Sequence, residues 1–182
     1  MLSPKMSPNP DHLQAVDKGQ VVFSASLTRP ASAKNCPQPH YWIEPFGKAE
    51  IKGYRTRCRI DPIICASNDW EEDYRRLTEF LFERTRVEMI TLGQPRFQPP
   101  LLNLVRKRHA EASHALSRLP PWHGMEKLLA GNLSDRIHVY RKILGMIDEH
   151  GVSNTPLLMV CKEDPAIVQA PRLKHGRCNH LV

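Results

Sequence analysis

Several common signatures are missing from this 182-residue sequence, and each absence narrows what the chain can be. No apolar run approaches the ~20 residues that a membrane-crossing helix needs. Residues 1–19 lack the apolar stretch of a secretory signal, which predicts a cytoplasmic protein. There is no glycine-rich phosphate loop, no Gly-x-Ser-x-Gly elbow and no His-Glu-x-x-His pair. A nucleotide-hydrolysing loop, a serine-hydrolase elbow and a helical zinc-protease site are thereby excluded, although a catalytic site assembled from dispersed residues is not. No cofactor motif is present, and neither an internal repeat nor a long low-complexity tract is found. The five cysteines are an odd number, and without a secretory signal they read as reduced thiols that pack as small apolar groups.

What is present is an ordinary globular composition, 41% hydrophobic and 25% charged, with an uneven supply of 16 prolines. The formal net charge is +7, and it is concentrated. Nine basic residues face five acidic ones over 1–65, and a second excess lies in 101–123. Segregated positive charge suggests a polyanionic partner more strongly than an even distribution does.

Residues 1–19, with Pro4, Pro8 and Pro10, read as a disordered tail, 20–163 as one domain, and 164–182 as a second polar tail. Within the domain, Val21–Leu27 reads as a strand and Tyr41–Ile43 as another, stopped at Pro45. Ala49–Ile60 is the longest strand candidate, bent at Gly53. Asp69 with Glu72 fits a capping box, and Glu71, Glu72 and Asp73 suit a helix start. Trp70, Tyr74, Leu77 and Leu81 then predict a helix running to about Ile90. A second helix is expected from Pro100 to Leu119, a short one over Met125–Ala130, and a third long one capped near Ser134 and ending at His150–Gly151. The apolar run Pro156–Val160 reads as a late strand that can pair back onto the sheet. The resulting fold class is α+β: a small N-terminal antiparallel β unit followed by a three-helix bundle.

The most informative segment is Tyr54–Ile60. In an extended chain, alternate side chains share a face, so Arg55, Arg57 and Arg59 form one row of guanidinium groups. Arginine forks match phosphate and carboxylate oxygens. Such a row can contact a nucleic-acid backbone, with Tyr41 and Trp42 as stacking platforms, or it can simply protect a charged edge strand. Arg106, Lys107 and Arg108 form a second basic patch on the expected second helix, within a helix count that fits a helix-turn-helix as well as a plain bundle.

The histidines give less. His109 and His114 stand about 140° apart on a helix and cannot share a metal from one face. His123, between Trp122 and Gly124, is a candidate general base with no identifiable acid, and a packed histidine is the plainer account. Cys161, His175, Cys178 and His180 are zinc-ligand types, but their spacing matches no standard knuckle. Together these readings favour a nucleic-acid-binding regulatory or accessory protein, DNA or RNA being open. A protein–protein adaptor or inhibitor docking an acidic partner is the alternative, and an enzyme with a dispersed site around His123 is the third class.

Overall fold

Each strand of the main sheet is followed by a helix or a long excursion before the next, and the strands accordingly pair in parallel. The computed structural model describes residues 21–27, 40–65, 68–95, 123–125, 128–130, 133–150, 157–161 and 173–176, with Lys18, Leu104, Lys107, Arg108 and Ile167. The elements are β1 (Val22–Ser26), α1 (His40–Ile51), β2 (Arg55–Ile60), α2 (Trp70–Arg84), β3 (Met89–Leu92), β4 (His123–Met125), β5 (Leu128–Ala130), α3 (Leu133–His150), β6 (Leu157–Cys161) and β7 (Leu173–Gly176). One five-stranded sheet has the order β1-β2-β3-β6-β7, every pair parallel. The short strands β4 and β5 form a separate antiparallel ribbon.

This architecture corrects the expected α+β arrangement. The main sheet is parallel, not antiparallel, and the described helices pack on it instead of forming a bundle of their own. The error began at α1. Pro45 suggested the end of a strand, yet it lies inside a helix. Ile43, Phe46 and Ala49, spaced three apart, are all fully buried, and that helical stripe outweighs the bond Pro45 cannot donate. With a helix over 40–51, β1 and β2 acquire the crossover that parallel pairing requires.

Gly53 then does more than bend a strand. At φ +83° it ends α1: Tyr54 N–H donates to Ala49 and Gly53 N–H to Glu50. This paired closure needs a left-handed residue just past the helix, a conformation glycine adopts without steric cost.

The helix α2 also stops short of the expected Ile90. It ends at Arg84, Thr85 closes it in an extended conformation, and Met89–Leu92 is a fully buried strand. A continuous apolar run of this kind is typical of parallel sheets and does not show period-two alternation. The Asp69 side chain makes no capping bond, so the expected capping box is not formed. The buried stripe Tyr74, Leu77, Thr78 and Leu81 is the helical periodicity the sequence predicts. The expected short helix over 125–130 is instead the β4–β5 ribbon. The third long helix is found as α3, and the late strand does return to the sheet as β6, parallel to β3. The strand β7 falls within the stretch read as a C-terminal tail. Of the expected second helix, Leu104, Lys107 and Arg108 are described, and all three are helical and exposed; the remainder lies outside the described residues.

Phe23, Ala25, Leu27, Cys58, Ile60, Ile90 and Leu92 form one face of the sheet and pack with Phe46, Leu81, Tyr140, Ile143 and Ile147 of the helices. Arg75 pairs with Glu149 and Lys142 with Glu71 (3.0 Å), tying α2 to α3 outside that core. Tyr74 accepts the Ile64 N–H at 2.7 Å, fixing the chain as it leaves β2. Cys58 lies in the middle of the apolar layer, and burial pushes its thiol far above the ordinary value. Only a thiolate reacts readily. Cys58 is therefore expected to remain unmodified by a thiol reagent in the native chain at pH 8 while the partly exposed Cys65 reacts. Mass mapping of the labelled peptides checks this; equal labelling of both would contradict the buried placement.

Candidate functional site

The arginine row lies on the sheet face turned away from the core. In β2 the alternation sends Thr56, Cys58 and Ile60 toward the helices, and Arg55, Arg57 and Arg59 to the opposite side. Ser24 and Ser26 of β1 are exposed beside them. The parallel register aligns Ser26 with Arg59, Arg59 with Thr91, Thr91 with Met159, and Met159 with Lys174. One layer near the carboxyl ends of the strands thus carries hydroxyl, guanidinium and hydroxyl groups in succession.

The three arginines have different neighbours. At the amino end, Glu88 accepts from Arg55 Nε at 2.8 Å through one carboxylate oxygen and from Arg57 Nε through the other. Arg57 is only 7% exposed, Arg55 47% and Glu88 32%. Burial alone would raise the Glu88 carboxyl, but the hydrogen bonds and charges of the two arginines outweigh it and hold its pKa below the usual glutamate value. The same hydrogen bond and charge raise Arg55 above its ordinary value.

At the carboxyl end, Arg59 donates through Nη2 to Asp61 at 2.5 Å, with both side chains partly buried. Asp61 lies against Gly93, the residue after β3: a Cβ placed on Gly93 would sit 2.6 Å from the Asp61 carboxylate. Gly93 N–H also donates to Ile60 and its carbonyl accepts from Ile63, so the loops after β2 and β3 are joined beside the pair. Arg59 Nε is buried and has no hydrogen-bond partner among the described residues.

Of the remaining residues singled out from sequence, Tyr41 and Trp42 are in α1, so they are not strand residues beside the arginine row; their side chains lie outside the described residues. Lys107 and Arg108 are exposed on a helical segment, and Arg106 lies outside the described residues. His123 is in β4, apart from the main sheet. Cys161 and His175 are on neighbouring strands, where Cys161 pairs with Gly176 and Val160 with His175; Cys178 and His180 lie outside the described residues. Among the described residues, no three His, Cys, Asp or Glu side chains stand close enough to hold a metal ion, and no helix is long and apolar enough to cross a membrane.

Sequence reasoning missed Glu88, Asp61 and Gly93. Asp61 was legible, since it lies two residues beyond Arg59 and therefore on the same strand face. Glu88 was not, because its place depended on where α2 ends.

No protein-family model matches the chain, and no curated protein sequence matches it. Among solved structures it is similar to a cysteine-to-serine mutant of spore photoproduct lyase, with a TM-score of 0.55 and 15% identity. The likeness covers 76% of this chain and 43% of that one, so the chain spans less than half the length of that protein. At this identity the resemblance is one of fold.

Proposed function

We propose that this protein binds nucleic acid, with Arg59 at the carboxyl ends of the parallel strands as a phosphate seat. One observation carries the reading: Asp61 orients the guanidinium through Nη2, while Nε is buried without an acceptor among the described residues. A buried donor left unpaired costs about 1–3 kcal/mol, and an anionic oxygen placed there would remove that cost. Open parallel sheets take their ligands outside the carboxyl ends of the strands, where this seat lies. Ser26, exposed and in register with Arg59, adds a hydroxyl donor.

Asp61 offsets part of the Arg59 charge, so the seat contributes orientation more than attraction. The net charge of +7 and the exposed Lys107 and Arg108 supply the attraction. Arg55 and Arg57, both engaged by Glu88, belong to the framework in this reading. A second reading, an enzyme that works on an anionic substrate at the same end of the sheet, is favoured by the position of the seat and by the fold shared with a lyase.

The test is fluorescence anisotropy with labelled single- and double-stranded oligonucleotides, at about 50 and 200 mM salt. Affinity is expected to fall by an order of magnitude or more between the two, through counterion release. Arg59→Ala is expected to weaken binding about tenfold, on the order of one charge-assisted contact. Lys107→Ala with Arg108→Ala should flatten the salt dependence. No binding at 50 mM salt would refute the reading. Binding indifferent to Arg59 would place the contact elsewhere.

A further inference from the structure

The end of the domain opposite the Arg59 seat holds a cleft of about 730 Å³, within the size range of small-molecule sites. Its walls include the last residues of α1, α2 and α3: Ile51, Arg84 and His150. We propose that this cleft is a binding site for a small organic cation, an ammonium group carried on an apolar body. The proposal is independent of the nucleic-acid reading and involves none of its residues.

Charge selects the ligand. The formal charges on the walls balance, with Glu50 and Glu83 against Arg84 and Arg86. The helix ends do not balance. Each carboxyl terminus carries roughly half a negative charge, so three converging ends outweigh an even count of side chains. Arg84 and Glu83 answer each other at 2.6 Å, and the Arg84 guanidinium lies 3.7 Å from the centre of the Phe80 ring, so this pair leaves the helix ends to set the sign. Glu50, on the cleft wall, accepts from the Thr56 hydroxyl and from the Arg86 N–H.

The other walls fit the rest of such a ligand. Phe82 and His150 lie nearly parallel, 24° apart with ring centres 6.2 Å distant, and an aromatic face attracts an ammonium group. The His150 Nε2 is buried with no hydrogen-bond partner among the described residues. With the proton on Nδ1, that nitrogen is an acceptor for an ammonium N–H. Ile51, 88% exposed at the lip, is a large apolar side chain left in water, where it would cover the apolar body of a bound ligand.

The experiment uses the full chain and three probes with one ring and different charge: benzylammonium, benzyl alcohol and benzoate. Ring signals of Phe82 and His150 are followed by NMR during titration. Benzylammonium is expected to shift both, and to bind at least about tenfold tighter than the other two, the difference a cation–π contact with charge complementarity supplies. His150→Phe keeps the ring and removes the acceptor, and should weaken benzylammonium several-fold. Glu83→Gln, at an exposed position, leaves Arg84 unanswered and the walls net positive, and should do the same while the fold stays intact. Benzoate binding as tightly as benzylammonium would overturn the charge assignment. Failure of all three probes to move either ring would overturn the site.

Discussion

Replacing Glu88 by alanine is expected to destabilise the protein by about 3 kcal/mol, because it removes the carboxylate that accepts from both Arg55 and the largely buried Arg57. The single carboxylate answers two guanidiniums, and one of them is 7% exposed. Removing one member of a buried pair costs about 3–5 kcal/mol, and the partial exposure of Glu88 places this case at the lower end. Arg57→Met in the same chain should recover part of the loss, since it removes the buried charge together with the carboxylate that answered it. Urea unfolding of the wild type, the single variant and the double variant measures all three stabilities. Equal stability of the wild type and Glu88→Ala would show that Glu88 does not hold the row.

The same carboxylate has a pH signature. Its pKa is lower in the folded chain than in the unfolded one, where it is near the ordinary glutamate value. The unfolded state therefore binds the proton first on acidification. The contribution is fully present above the unfolded value and is lost as pH falls through the folded one. Between about pH 6 and pH 3 the wild type should lose more stability than Glu88→Gln, which has no such group to titrate.

Gly93→Ala is the second large effect. The new Cβ would stand 2.6 Å from the carboxylate of Asp61, closer than any ordinary contact, and Arg59 holds that carboxylate in place. Overpacking of this kind costs about 1–3 kcal/mol. Relief requires Asp61 to move, which releases Arg59. The substitution is therefore expected to lower stability and, in the proposed reading, oligonucleotide affinity together. Asp61→Ser in the same chain opens the space, so the two substitutions should be non-additive, with a coupling of about 0.5–3 kcal/mol in the double-mutant cycle. Strict additivity would mean that Gly93 and Asp61 do not meet.

The parts of this fold that the sequence made legible are those with a single dominant signal. The stripe Tyr74, Leu77 and Leu81 fixes α2, the apolar run after Pro156 marks β6, and Val21–Leu27 marks β1. What misled was punctuation. Pro45 and the short span of Tyr41–Ile43 imitate the end of a strand, and only the burial of Phe46 and Ala49 shows that the helical period continues past the proline. Once that helix was missed, parallel pairing had no crossover and the sheet class followed wrongly. The row Arg55, Arg57 and Arg59 was legible as a face. Its partners were not, because Glu88 lies 31 residues beyond Arg57 and meets it only through strand pairing that no local pattern encodes.

In the main sheet, the spatial order of the strands repeats their order along the chain. A chain leaving the ribosome would thus expose each new strand to a neighbour already synthesised, with no earlier strand waiting for a later insertion between its partners. Assembly of the sheet is then vectorial, growing at one rim as synthesis proceeds. Arg57 would meet Glu88 only once translation has crossed the 31 residues between them, and β2 becomes a settled interior strand when β3 emerges.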